Sequence, residues 1–204
     1  MDSSGVNAFA SWAHDGMQTL VKEPARQPEG DLLVPLQHDR DTQIRMSYLS
    51  PMFYNMVGFL RFLADNVDTP MRVRDHPSHP CCEEARAVVE GCGRMSWDTS
   101  PTLESALDGA AALLTINSSC GVLALTREVP IVSFGRSVWT SVQGASYPMF
   151  GVKEPREALR SVISEIKSGR NSLNRIAQAA ALGRILGKQW WPEQLPDRLG
   201  WALK

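Results

Sequence analysis

The run Asn117-Ser118-Ser119-Cys120-Gly121 puts an amide, two hydroxyls, a thiol and a glycine where a strand is expected to give way to a helix. Leu113 to Ile116 reads as a buried strand, the polar residues as a turn, and the chain after Cys120 as a short helix leading to a second strand, Ile131 to Phe134. The first N–H groups of a helix lack intrahelical partners and carry the positive end of its dipole, so such a turn can take a phosphate. Ser118 and Ser119 would bond its oxygens, the N–H groups of Cys120 and Gly121 would complete the cradle, and Gly121 would permit close approach. Asn117 and Ser118 are equally ordinary helix caps, a reading that needs no ligand. Nucleotide-sugar chemistry is the leading idea.

Two other strand ends carry reactive groups. Asp31 to Gln37 is a short apolar run ending at Gln37, with Asp39 and Asp41 just beyond. Met71 to Asp75 runs directly into His76-Pro77. An imidazole at His76 can donate to a phosphate oxygen or a carboxylate, with Pro77 fixing the backbone; an exposed loop histidine is the alternative, and His79 reads as a bystander. Gln37 and Asp41 are placed nearest the reacting sugar or nucleotide. A carboxylate at Asp41 could stabilise developing positive charge, act as nucleophile or accept a proton, and the sequence leaves all three roles open. Asp39-Arg40-Asp41 has the letters of a D-x-D metal motif, but it follows a strand end and reads equally as a solvated turn, so no metal is implied. Glu104, near the start of a short helix, could bond a ribose or a base edge, or belong to a capping box. Ser137, Thr140 and Gln143 either line the same mouth or face water.

The elements that must position these groups alternate regularly. Helices are expected over Asn7 to Glu23, from Ser50-Pro51 to about Asp65, over Glu83 to Glu90, and over Thr102 to Asp108 with Ser100 or Thr102 as cap. Met95 to Trp97 reads as a weak strand, and Glu154 to Lys167 and Asn171 to Leu186 as closing helices. Strands alternating with helices imply a single Rossmann-like, doubly wound, mostly parallel α/β sheet with C-terminal helices. Residues 1–30 form an N-terminal helix and linker, 31–150 the nucleotide-sugar-binding domain, and 151–204 helices that pack on it.

Composition narrows the classes. With 204 residues, 43% of them hydrophobic, there is ample material for a core. A net charge of -1 without a basic stripe argues against nucleic acid. No apolar run approaches a membrane span and no secretory leader is visible, so a cytoplasmic location is expected. Cys81, Cys82, Cys92 and Cys120 lack C-x-x-C spacing and are expected to be reduced thiols.

Three segments together resemble the capsular polysaccharide synthesis family of bacterial Kdo (3-deoxy-manno-octulosonic acid) transferases: VPLQHDRDTQI (Val34 to Ile44), RDHPSHP (Arg74 to Pro80) and TINSSCGVLALTREVPIVSFG (Thr115 to Gly135). The His-Pro and Ser-Ser pairs also resemble those of bacterial sialyltransferases. The resemblance implies the C-terminal, donor-binding half of a two-domain GT-B glycosyltransferase that transfers Kdo from CMP-Kdo in capsule assembly. It implies Asp41 and His76 as catalytic residues, and Gln37, His76, Pro77, Glu104, Asn117, Ser118, Ser119, Cys120 and Gly121 as donor-binding residues. Arg74 stands where relatives tend to carry a lysine or other base. No cofactor or metal is implied beyond the CMP-activated donor. Expected partners are a lipid or glycan acceptor and a partner N-terminal domain or other capsule proteins, at the cytoplasmic face of the inner membrane; the resemblance leaves open whether the chain is a fragment, takes its other half from another polypeptide or has lost the activity. Trp190, Trp191 and Trp201 would either anchor at that face or pack back on the domain. The alternatives are a non-catalytic nucleotide-binding or assembly module, or a UDP-sugar epimerase or hydrolase.

Overall fold

The computed structural model describes residues 29–39 and 55–170, together with 173, 177, 178 and 181. The expected N-terminal helix, Arg40 and Asp41, the Ser50-Pro51 helix start, most of the last helix and the three C-terminal tryptophans lie outside the described residues.

The described chain forms β1 (Asp31–Pro35), α1 (Met56–Asn66), β2 (Met71–Arg74), α2 (Glu83–Gly91), β3 (Met95–Trp97), α3 (Leu103–Asp108), β4 (Ala110–Thr115), α4 (Cys120–Thr126), β5 (Ile131–Ser133), a 3-10 turn (Trp139–Ser141), β6 (Tyr147–Pro148) and α5 (Pro155–Lys167). The six strands form one sheet in the order β3-β2-β1-β4-β5-β6, every pair parallel. This is the Rossmann-like α/β sheet expected from the alternation of elements.

Parallel strands buried on both faces read as unbroken apolar runs, and β4, AAALLT, is buried at every position. Side chains alternate between two cores. Leu32 and Val34 of β1 join α1, α2 and α5 on one face, while Leu33 meets α3, α4 and Trp139 on the other. Register shifts between Asp31↔Ala110 and Leu32↔Ala112, making Ala111 the extra residue of a bulge.

Helix ends follow local chemistry. Helix α1 begins at Met56, where the Asn55 side chain accepts from Gly58 N–H and caps it. Of the two candidate caps for α3, Thr102 serves, in a reciprocal pair with Ser105. Helix α5 opens on Pro155 at its first turn and ends before Gly169, whose φ of 70° suits a residue without a Cβ. Strand β6 was not foreseen. It is two residues long, and its Pro148 is tolerated because the strand lies at the sheet edge.

Candidate site at the carboxyl ends of the central strands

Strands β1 and β4 are neighbours from which the chain leaves toward opposite edges of the sheet. Such a reversal opens a crevice at the carboxyl ends of the strands. Gln37, two residues past β1, is buried there and spends its whole amide on the turn after β4. Its Nε2 donates to Asn117 Oδ1 at 3.0 Å, and its Oε1 accepts from Asn117 N–H at 3.2 Å and from the Thr115 hydroxyl at 3.5 Å. Thr115 Oγ1 in turn accepts from Ser118 N–H at 3.0 Å. All four residues are buried, so each bond exchanges a desolvated polar group for a satisfied one.

This network changes the detail of the expected cradle. Ser118 Oγ accepts from Cys120 N–H at 3.3 Å, and Ser118 O accepts from Gly121 N–H at 3.0 Å, so both amides are held inside the turn. The N-cap of α4 is Ser119, exposed and without a side-chain capping bond. Among the described residues, the Ser119 N–H and hydroxyl have no hydrogen-bond partner. Gly121 does serve a close approach, but the approach is to an indole: a Cβ there would lie 2.6 Å from the Trp139 ring. Trp139 Nε1 donates to Ser133 Oγ at 2.9 Å, which fixes that ring. Burial pushes the Cys120 thiol up, and the hydrogen bond with Ser118 and the charge of Arg74 offset only part of that rise.

Strand β2, MRVR, turns Met71 and Val73 into one core and leaves Arg72 and Arg74 on the opposite side. Two arginines side by side need an anion, and Asp98 supplies it. Its carboxylate accepts from Arg72 Nη1 at 2.7 Å and from Arg74 Nη1 at 2.5 Å, and its side chain is 1% exposed. Burial alone would raise the Asp98 pKa. The hydrogen bonds from Ser100 and Arg74 and the charge of Arg72 outweigh it, holding the carboxyl below its usual range. Arg74 also donates to Ser100 O at 2.9 Å.

The loop after β2 is folded around Asp75, whose Oδ1 accepts from His76 N–H and Cys81 N–H, both at 2.9 Å. Ser78 N–H donates to His76 Nδ1 at 3.3 Å, which places the hydrogen of a neutral His76 ring on Nε2. His79, read from sequence as a bystander, lies 4.3 Å from His38 and 5.2 Å from His76 between ring centroids. His38 was missed altogether, although its place beside Gln37 at a strand end was the available signal.

The remaining candidates are dispersed around the same edge. Asp39 Oδ1 accepts from Met56 N–H at 2.8 Å, so it serves the start of α1. Among the described residues, no group of three or more His, Cys, Asp or Glu side chains is arranged to hold a metal ion. Glu104 is half-buried in the first turn of α3, and the capping box there uses Ser105 instead. Pro77 and Gln143 are exposed. Thr140 Oγ1 donates to Ser137 O and accepts from Ser137 N–H, closing a turn in which the buried Ser137 hydroxyl has no partner among the described residues.

Comparison with a known structure agrees with this fold. Over 80% of its length the chain superposes on a Thermosulfurimonas dismutans protein described as KpsC, beta Kdo 2,7 transferase, with a TM-score of 0.53 and 15% identity; the match covers 62% of that chain. The glycotransferase of kitacinnamycin matches over 79% of this chain and 42% of its own, with 16% identity and a TM-score of 0.44. No curated protein matches the sequence. Residues 8–149 match the family described as capsule polysaccharide biosynthesis protein, which takes in β1 through β6 and the whole of the crevice. On that match, the chain belongs to the capsule polysaccharide biosynthesis protein family.

Proposed function

We propose that this chain is the donor-binding part of a glycosyltransferase that transfers Kdo from CMP-Kdo during capsule assembly. The observation that carries the reading is the Gln37–Asn117 clamp, which holds the exposed Ser119 at the point where the strand order reverses. Arg74 and His76 stand two strands away at the end of β2. Neighbouring strands are about 4.8 Å apart, so these groups span roughly 10 Å, room for a phosphate and its attached sugar.

The chemistry suits such a site. Breaking the anomeric bond of an activated sugar passes through an oxocarbenium-like state while negative charge grows on the departing phosphate. A guanidinium already fixed by Asp98, an imidazole N–H at His76 and the Ser119 donors would meet that charge without reorganising. Asp41 is the carboxylate this reading assigns to the sugar side, together with an acidic group from a partner N-terminal domain. Among the described residues no helix is long and apolar enough to cross a membrane.

Calorimetric titration with CMP and UDP tests the reading. CMP is expected to bind more tightly than UDP, and His76→Ala and Ser119→Ala are each expected to weaken it by about 1.5–3 kcal/mol, as for loss of a charge-assisted bond. Tighter binding of UDP, or variants that bind CMP like the wild type, would overturn it. Turnover of CMP-Kdo with a lipid-linked acceptor and the partner domain then separates a transferase from a non-catalytic module.

A further inference from the structure

Three imidazoles meet beside the crevice, and the proposed donor contacts use one of them. His38 leaves the end of β1, and His76 and His79 lie in the loop after β2, so the cluster joins two adjacent strand ends. His79 is exposed and is the middle ring, 4.3 Å from His38 and 5.2 Å from His76. His76 Nδ1 already accepts from Ser78 N–H, so a proton added there must displace that bond. His38 and His79 are therefore the rings placed to take a proton without disturbing the loop.

Among the described residues, the charged side chains beside the three rings in the chain are bonded elsewhere. Asp39 Oδ1 accepts from Met56 N–H at the start of α1. Asp75 Oδ1 accepts from two loop amides, and its Oδ2 lies 3.9 Å from Arg86 of α2. Arg74 of β2 is bonded to Asp98. Free imidazole titrates near pH 6.5. Two cationic rings at this separation repel each other, so a second proton needs an anion beside them.

We propose that His38 and His79 form a proton-coupled anion site, which gains a proton when an anionic group of the ligand, phosphate or sugar carboxylate, enters the crevice. No bond to the ligand is made or broken; the proton comes from solvent and settles on an imidazole nitrogen. The inference rests on the proposed function for the ligand's identity only, because the cluster itself would answer to any fixed anion.

The test follows the imidazole Cε1–H signals by NMR near neutral pH, assigned with His38→Gln and His79→Gln. Two probes keep their charge throughout: sulfate, compared with chloride at equal ionic strength, and CMP-N-acetylneuraminic acid, a CMP-linked acidic sugar. Both His38 and His79 signals are expected to move toward their protonated positions, and calorimetry in buffers of different ionisation enthalpy is expected to show proton uptake. In His79→Gln the response of His38 should fall at least several-fold. A response to sulfate without one to the CMP-linked sugar would uphold the anion site and count against the nucleotide-sugar reading. Signals that stay in place with both probes would overturn the proposal.

Discussion

Gln37 and Asn117, 80 positions apart, hold each other by two hydrogen bonds, side-chain amide to side-chain oxygen and backbone amide to side-chain oxygen. That pairing joins the ends of β1 and β4 across the place where the sheet reverses its winding, and it sets the turn from which Ser119 projects. Removing either residue takes two hydrogen bonds away from the other in a buried site.

Gln37→Leu is therefore expected to destabilise the fold by about 1–3 kcal/mol, the cost of losing its hydrogen bonds to buried Asn117 and Thr115 groups. Urea unfolding followed by circular dichroism measures it. A change within a few tenths of a kcal/mol would mean that the clamp is replaced by solvent.

Gly121→Ala should cost about 1–3 kcal/mol, because the added Cβ would fall 2.6 Å from the Trp139 ring. The same substitution made with Trp139→Leu should recover part of the loss, since the obstacle is then removed. Thermal unfolding of the two single variants and the double variant gives the coupling directly.

Asp98 lies between Arg72 and Arg74 with its carboxyl held below the usual range. A carboxyl whose folded-state pKa is depressed contributes stability that is complete above the unfolded value, near about pH 4, and is lost as pH falls through the folded value. Asp98→Asn should thus lower stability by about 3–5 kcal/mol at neutral pH, as expected when a buried ion pair loses one partner. The gap between variant and wild type should close as pH drops below about 4. Denaturation curves taken across that range would show it.

Cysteine reactivity should follow burial. Cys82 is exposed, whereas burial pushes up the thiols of Cys120 and of Cys81, the latter helped by the nearby charge of Asp75. Alkylation at neutral pH, read by mass spectrometry, should label Cys82 first and Cys120 last.

Much of the frame could be read from local pattern. The apolar runs at Leu32 and Leu113 and the spacing of helices between them imply the parallel sheet, and the cap of α3 is narrowed by residue type to Ser100 or Thr102, of which the structure uses Thr102. Contacts between distant segments were not legible. No local rule pairs Gln37 with Asn117, brings His38 to His79, or sets Trp139 against Gly121, because each depends on the register in which separate strands end. One long-range feature did leave a trace. Arginines at alternate positions of β2 place two cations on one buried face, and Asp98, just past the neighbouring strand β3, is the anion such a pattern demands.

The most direct test is a crystal structure of the chain with CMP bound. The phosphate is expected at the carboxyl ends of β2, β1 and β4, within hydrogen-bond reach of Ser119 and of His76 or Arg74. A nucleotide seated at the opposite edge of the sheet, or bound with those side chains unengaged, would contradict it.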